Sequence, residues 1–262
     1  MVDSLVISNR TFNSRLLLGT GKFSSNNVMK EALEASGTEI VTVSLRRANL
    51  NDEEDESANI LNFIDNNKFL ILANTSGANN AEEAIRLARL ARSAGLPPWI
   101  KLEIHPDPKY LLPDPVETFK ATKLLVDEGF TVLPYINADP LLAKRLQDVG
   151  ASTVMPLGSP IGSNLGIQNR KQIEIIIEQA TVPVIVDAGI GKPSHASEAM
   201  EMGADAVLIN TAIAISSDPI LISKAFKGSI DNGRTDFLYG SHETSSKGSA
   251  TSPLSTFLFE ND

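Results

Sequence analysis

The 262-residue chain is 42% hydrophobic and carries a formal net charge of −9: enough apolar content for one barrel-sized core, and too acidic for the clustered Lys and Arg that nucleic-acid binding requires. It has no cysteine, and its three histidines are dispersed at 105, 195 and 242, which excludes disulfides, thiolate nucleophiles and iron–sulfur ligation and offers no zinc-like cluster. No apolar run reaches the ~18 residues of a membrane-spanning helix, and the opening MVDSLVISNRTFNSR lacks the marks of a secretory or transit segment. The chain is therefore expected to be soluble and to act where it is made, in a cytoplasm or, if plastid-encoded, in a plastid stroma.

In chain order, eight short β-branched or Leu-rich runs read as strands: RLLLGT from Arg15, EIVTVS from Glu39, FLILAN from Phe69, WIKLEI from Trp99, FTVLPY from Phe130, STVMPL from Ser152, VPVIVD from Val182 and AVLIN from Ala206. An amphipathic helical stretch follows each. The third, NAEEAIRLARLARSAG, closes on Gly95, and the seventh, PSHASEAMEMGA, opens on Pro193 and stops at Gly203. Eight strand-then-helix units predict an α/β protein with a single (β/α)8 TIM barrel domain over residues 1–240, its site at the carboxyl ends of the strands. A doubly wound sheet is the alternative architecture.

Two segments break the rhythm. Leu45 to Ile60, LRRANLNDEEDESANI, reads as a solvated loop or the start of the second helix, and its Arg46 and Arg47 reach an anion or simply solvate that loop. Beyond Gly240 the Ser-, Thr- and Gly-rich segment 241–262 is expected to be a flexible tail, with the apolar LSTFLF near its end.

Alternation along WIKLEI puts Trp99, Lys101 and Glu103 on one strand face and Ile100, Leu102 and Ile104 on the other. In a barrel the apolar face meets the helices, so Lys101 and Glu103 point inward, with Trp99 lining the same cavity toward the amino end. A buried ion pair would account for them, at a cost in desolvation. A nucleophilic amine is the reading preferred to it, with burial favouring the neutral form and the carboxylate favouring the charged one. Three glycine-bearing loops follow strands six, seven and eight: PLGSPIGSNLG, DAGIGKPSHA and NTAIA. Glycine admits close backbone approach to a phosphate, and barrels commonly place such a site after strands seven and eight. Asp187, ending the seventh strand, reads as an acid or base at the cavity mouth or as a cap of the next turn. His105 and His195 lie near the same rim and read as incidental.

These pieces resemble the thiazole synthase family, which builds the thiazole phosphate half of thiamine. The resemblance runs through SRLLLGTGKF, TVSLRR, EEAIRLARLAR, IKLEIHPDPKYLLPDPVETFKA, GFTVLPY, MPLGSPIGS and VPVIVDAGIGKPSHASEAMEMGADAVLINTAIA, to about Gly240. It implies that Lys101 forms an imine with the ketone of 1-deoxy-D-xylulose 5-phosphate, that Glu103 and Asp187 are its acid and base, and that Gly162, Ala188, Gly189, Asn210 and Thr211 bind the sugar phosphate. Sulfur would arrive on the thiocarboxylated C-terminus of a sulfur-carrier protein, and condensation with dehydroglycine from a partner enzyme would close the ring. The resemblance further implies a homotetramer and no metal or organic cofactor. The chain departs from the family pattern at NTSGANN (Asn74 to Asn80), at GSNLGI and across ISSDPILISKAFKGSIDNGR, none of which includes Lys101, Glu103 or Asp187. An imine-forming aldolase or phosphosugar isomerase on the same barrel would share the lysine and phosphate loops, and a catalytically idle barrel serving as a carrier-binding scaffold would share the fold alone.

Overall fold

The computed structural model describes residues 3–44, 60–240 and 246–248. Eight strands form one parallel sheet: β3 (Leu16–Gly19), β4 (Ile40–Ser44), β5 (Leu70–Asn74), β6 (Trp99–Leu102), β7 (Thr131–Ile136), β8 (Met155–Pro156), β9 (Ile185–Asp187) and β10 (Ala206–Ile209). Their spatial order is β8-β7-β6-β5-β4-β3-β10-β9. Parallel bridges between Val154 and Val184 and between Leu157 and Asp187 join the two ends, so the sheet closes as a TIM barrel. Every predicted strand is present, although several are shorter than their apolar runs. β6 ends at Leu102, and β8 keeps two residues of STVMPL, with Val154 and Leu157 on either side bridging to Val184 and Asp187.

The helices are α1 (Asn26–Ser36), α2 (Ala81–Ser93), α3 (Pro115–Asp127), α4 (Pro140–Asp148), α5 (Arg170–Gln179), α6 (Pro193–Glu201), the short α7 (Thr211–Ala214) and α8 (Pro219–Tyr239). Local chemistry sets their starts. Asp-Pro opens α3, α4 and α8: Pro supplies a preset φ at the first helical position, while Asp114, Asp139 and Asp218 accept backbone N–H bonds of the first turn. Asn80 caps α2 in the same way, and α2 and α6 stop before glycines of positive φ, Gly95 and Gly203. The reading of Leu45 to Ile60 falls outside the described residues apart from Ile60, which begins a single 3-10 turn to Phe63. The reading of 241–262 likewise falls outside them, apart from 246–248.

An antiparallel hairpin, β1 (Leu5–Ile7) and β2 (Arg10–Phe12), precedes the barrel and was not expected from the sequence, since strands of three residues carry too little periodicity to read. Leu5, Ile7 and Phe12 close the amino end of the barrel against the inward residues Leu17, Leu72, Trp99, Leu133, Met155 and Ile185. Trp99 belongs to this plug. It stacks edge-on against Phe12 at 6.1 Å and lies below the cavity, not along its wall as the alternation alone predicts. The outward faces, including Ile100, Leu102 and Ile104, pack under the helices. With its amino end filled, the barrel leaves open space at the carboxyl end.

Candidate active site

A cavity of about 280 Å³ opens at the carboxyl ends of the strands. All eight residues singled out from the sequence, Lys101, Glu103, Asp187, Gly162, Ala188, Gly189, Asn210 and Thr211, line it. Lys101 Nζ stands 2.8 Å from Glu103 Oε1 and 2.6 Å from Asp187 Oδ2, and all three side chains are at most 5% exposed. Asp187 reaches Lys101 from the opposite arc of the sheet, which only barrel closure permits.

The two carboxylates are held differently. Glu103 accepts from Lys101 and Asn74 on one oxygen, Asn74 Nδ2 at 2.9 Å, and lies 3.3 Å from His105 Nε2 on the other. An ionised carboxylate only accepts, so the shared proton sits on Nε2 of His105. Asp187 Oδ2 touches Lys101 closely but accepts no well-aligned hydrogen bond. Burial raises the proton affinity of both acids. At Glu103 the Lys101 charge and the His105 contact overcome burial and hold the carboxyl well below its ordinary range. At Asp187 burial, reinforced by the Glu103 charge, outweighs Lys101 and pushes the carboxyl above its ordinary value. At Lys101 burial favours the neutral amine, yet the charges of Asp187 and Glu103 win and hold the ammonium above the usual lysine range. The competition that the sequence leaves open therefore goes to the carboxylates. Lys101 Nζ also lies 5.7 Å over the Tyr135 ring, a further contact that favours the cation.

Across the cavity the glycine-bearing loops have the backbone their residues demand. Ala188 and Gly189 have consecutive positive φ of 69° and 74°. A Cβ on Gly189 would overlap Ser159 Oγ and stand 2.7 Å from the Ser159 carbonyl oxygen. Gly189→Ala is accordingly expected to cost about 1–3 kcal/mol of stability through overpacking and to displace the β9 loop. Denaturant unfolding measures the first effect and amide hydrogen exchange across the β9 loop the second, and a variant equal to the native chain in both would refute this.

The sequence reading misses Lys22, Asn74 and His105. Asn74 shares the inward parity of Leu70 and Leu72 at the carboxyl end of β5, a signal available from alternation. His105, expected to be incidental, is 6% exposed and packed on Glu103. His195 instead accepts the Gly191 N–H through Nδ1 at 3.3 Å and supports the β9 loop. Arg46 and Arg47 lie outside the described residues.

The family model for Thiazole biosynthesis protein ThiG matches residues 6–253. The chain belongs to this family. It is 63% identical to a thiazole synthase of Syntrophobacter fumaroxidans over 98% of this chain and 100% of the relative. A thiazole synthase of Bacteroides fragilis is 54% identical over 99% of this chain and 100% of the relative. Among solved structures, the crystal structure of the Amycolatopsis orientalis BexX/CysO complex superposes with a TM-score of 0.81 at 30% identity, covering 93% of this chain and 98% of that one. Membership in the thiazole synthase family places the chain in thiamine biosynthesis, and the resemblance read from the motifs holds over nearly the whole chain.

Proposed function

We propose that the chain converts 1-deoxy-D-xylulose 5-phosphate, dehydroglycine and carrier-borne sulfur into the thiazole phosphate of thiamine through an imine on Lys101. The buried amine held between Asp187 and Glu103, facing a cavity rimmed by glycine loops, is the observation that carries this reading.

An ammonium cannot attack a ketone, so Lys101 must first lose a proton. Asp187 is the acceptor: it is the closer carboxylate and its proton affinity is raised despite the Ala188 backbone N–H, whereas Glu103 is fixed as an anion by Asn74 and His105. Transfer from Lys101 to Asp187 gives neutral amine and a carboxylic acid. The amine adds to the sugar ketone to form a carbinolamine, and the Asp187 acid returns its proton to the departing hydroxyl, which leaves as water from the new C=N bond. Glu103 then stabilises the iminium and accepts carbon-bound protons as the imine moves along the sugar. The sugar phosphate sits against Gly162, Ala188, Gly189, Asn210 and Thr211.

With no cysteine in the chain, sulfur has to enter on another molecule. A thiocarboxylated carrier protein meets that need, and the relative crystallised as a BexX/CysO complex supports a protein partner for this fold. A dehydroglycine-producing enzyme supplies the remaining atoms, and the active species is a homotetramer. Among the described residues no helix is long and apolar enough to cross a membrane, which accords with work in the cytoplasm.

Incubation with 1-deoxy-D-xylulose 5-phosphate followed by borohydride reduction tests the imine. Mass spectrometry is expected to find one reduced sugar adduct per chain, on Lys101. Absence of an adduct, or a label on another lysine, would overturn the mechanism.

A further inference from the structure

We propose that Lys22 is the phosphate-binding cation of this cavity and sets its preference for a phosphorylated over an unphosphorylated sugar. The assignment deepens the reading of the cavity as a sugar-phosphate site and rests on it.

Charge accounting points to Lys22. Among the described residues that line the cavity, four are charged: Lys22, Lys101, Glu103 and Asp187. Lys101 is taken up by two carboxylates at 2.8 and 2.6 Å, so the floor of the site carries an excess of negative charge whenever both acids are ionised. A phosphate monoester brings about −1.5 to −2 more at neutral pH. It needs a cation that those acids have not neutralised, and Lys22 has no ion-pair partner among the described residues.

Geometry points the same way. Lys22 belongs to the loop after β3, yet its Nζ lies 3.5 Å from the point a Cβ on Gly162 would occupy, with Thr211 Oγ1 3.9 Å from the same point. The ammonium thus spans the mouth from the first βα loop to the loops after β8 and β10, where Gly162 leaves room for an anion. The lysine sits at φ 68°, in the left-handed region that glycine adopts freely and a residue with a Cβ does not. Its loop is also fixed from the phosphate side. The Asn210 amide nitrogen donates to the carbonyls of Gly21 at 2.8 Å and Gly19 at 3.2 Å, and a Cβ on Gly19 would stand 2.8 Å from the Asn210 side chain. Thr20 Oγ1 ties the same loop to the Thr42 carbonyl at 2.9 Å. The Asn210 side-chain donor is therefore spent on holding the lysine loop beside the sugar phosphate, and Lys22 is left as the charged contact.

The test compares the native chain with Lys22→Gln and with Lys22→Gly, the latter relieving the backbone strain so that a folding defect cannot imitate lost binding. Borohydride-trapped Lys101 adduct is titrated with 1-deoxy-D-xylulose 5-phosphate and with unphosphorylated 1-deoxy-D-xylulose, and inorganic phosphate binding is measured by calorimetry. Both variants are expected to raise the half-saturating concentration of the phosphorylated sugar about 10- to 100-fold, as loss of a charged hydrogen bond does, and to weaken inorganic phosphate by a similar factor. The unphosphorylated sugar should shift by less than about twofold, since the proposed role of Lys22 is confined to the phosphate. Unchanged affinity for the phosphorylated sugar, equal weakening of both sugars, or unchanged phosphate binding would each overturn the assignment. If the native chain gives no Lys101 adduct with either sugar while phosphate binding still depends on Lys22, the imine reading falls and the Lys22 assignment stands.

Discussion

Lys101→Met is expected to abolish thiazole formation, by about 10⁴-fold or more, and to cost about 3–5 kcal/mol of folding stability. The first effect follows from removing the proposed nucleophile. The second follows from what stays behind: Glu103 and Asp187, buried against each other with no cation between them. Asp187, already raised above its ordinary value, would take up a proton, yet Glu103 keeps a charge that only His105 and Asn74 offset. The triple variant Lys101→Met, Glu103→Gln, Asp187→Asn should recover most of the lost stability while remaining inactive, because a neutral trio removes the uncompensated charge without restoring an amine. Urea midpoints and thiazole assays on the two variants make the comparison. A single variant as stable as the native chain, or a triple variant no more stable than the single, would show that the trio does not carry the electrostatic strain assigned to it.

The sequence makes the barrel legible because parallel strands buried on both faces leave continuous apolar runs, and these recur eight times with helical stretches between them. Lys101 and Glu103 are legible through alternation alone, since polar residues at inward parity on a buried strand demand a reason. What alternation cannot show is height along the barrel axis. Trp99 has the parity of Lys101 yet packs on Phe12 of an amino-terminal hairpin whose strands are too short to announce themselves. Nor does it show who meets whom across the barrel. That Asp187 comes closer to Lys101 than Glu103 does, and that His105 and Asn74 fix Glu103 as an anion, are consequences of closure, and these contacts decide which charge effect wins at the amine. Lys22 escapes for a related reason: in GTGKF it looks like a solvated loop cation, and only the fold carries it to Gly162 and Thr211.

The unequal holding of the two acids leads to the second large effect, on pH dependence. On the proposed route the proton leaving Lys101 moves to Asp187, so the reactive pair of amine and acid has the same number of protons as the resting pair of ammonium and carboxylate. The rate of imine formation should then be independent of pH between the titration of Asp187 and that of Lys101. Both are raised by their surroundings, so the lower edge of the plateau lies above the ordinary carboxylate range and its upper edge above the usual lysine range. In Asp187→Asn the internal acceptor is gone and Lys101 remains an ammonium against Glu103. Neutral amine then forms only by losing a proton to solvent, so the rate should climb about tenfold per pH unit from about pH 6 to about pH 8, and at about pH 7 should fall about 10²- to 10⁴-fold below the native rate. Glu103→Gln, which removes the fixed anion and leaves the acceptor in place, should slow the reaction but keep the flat profile. Single-turnover trapping across this pH range separates the two, and a flat profile in Asp187→Asn would show that the Lys101 proton leaves by another route.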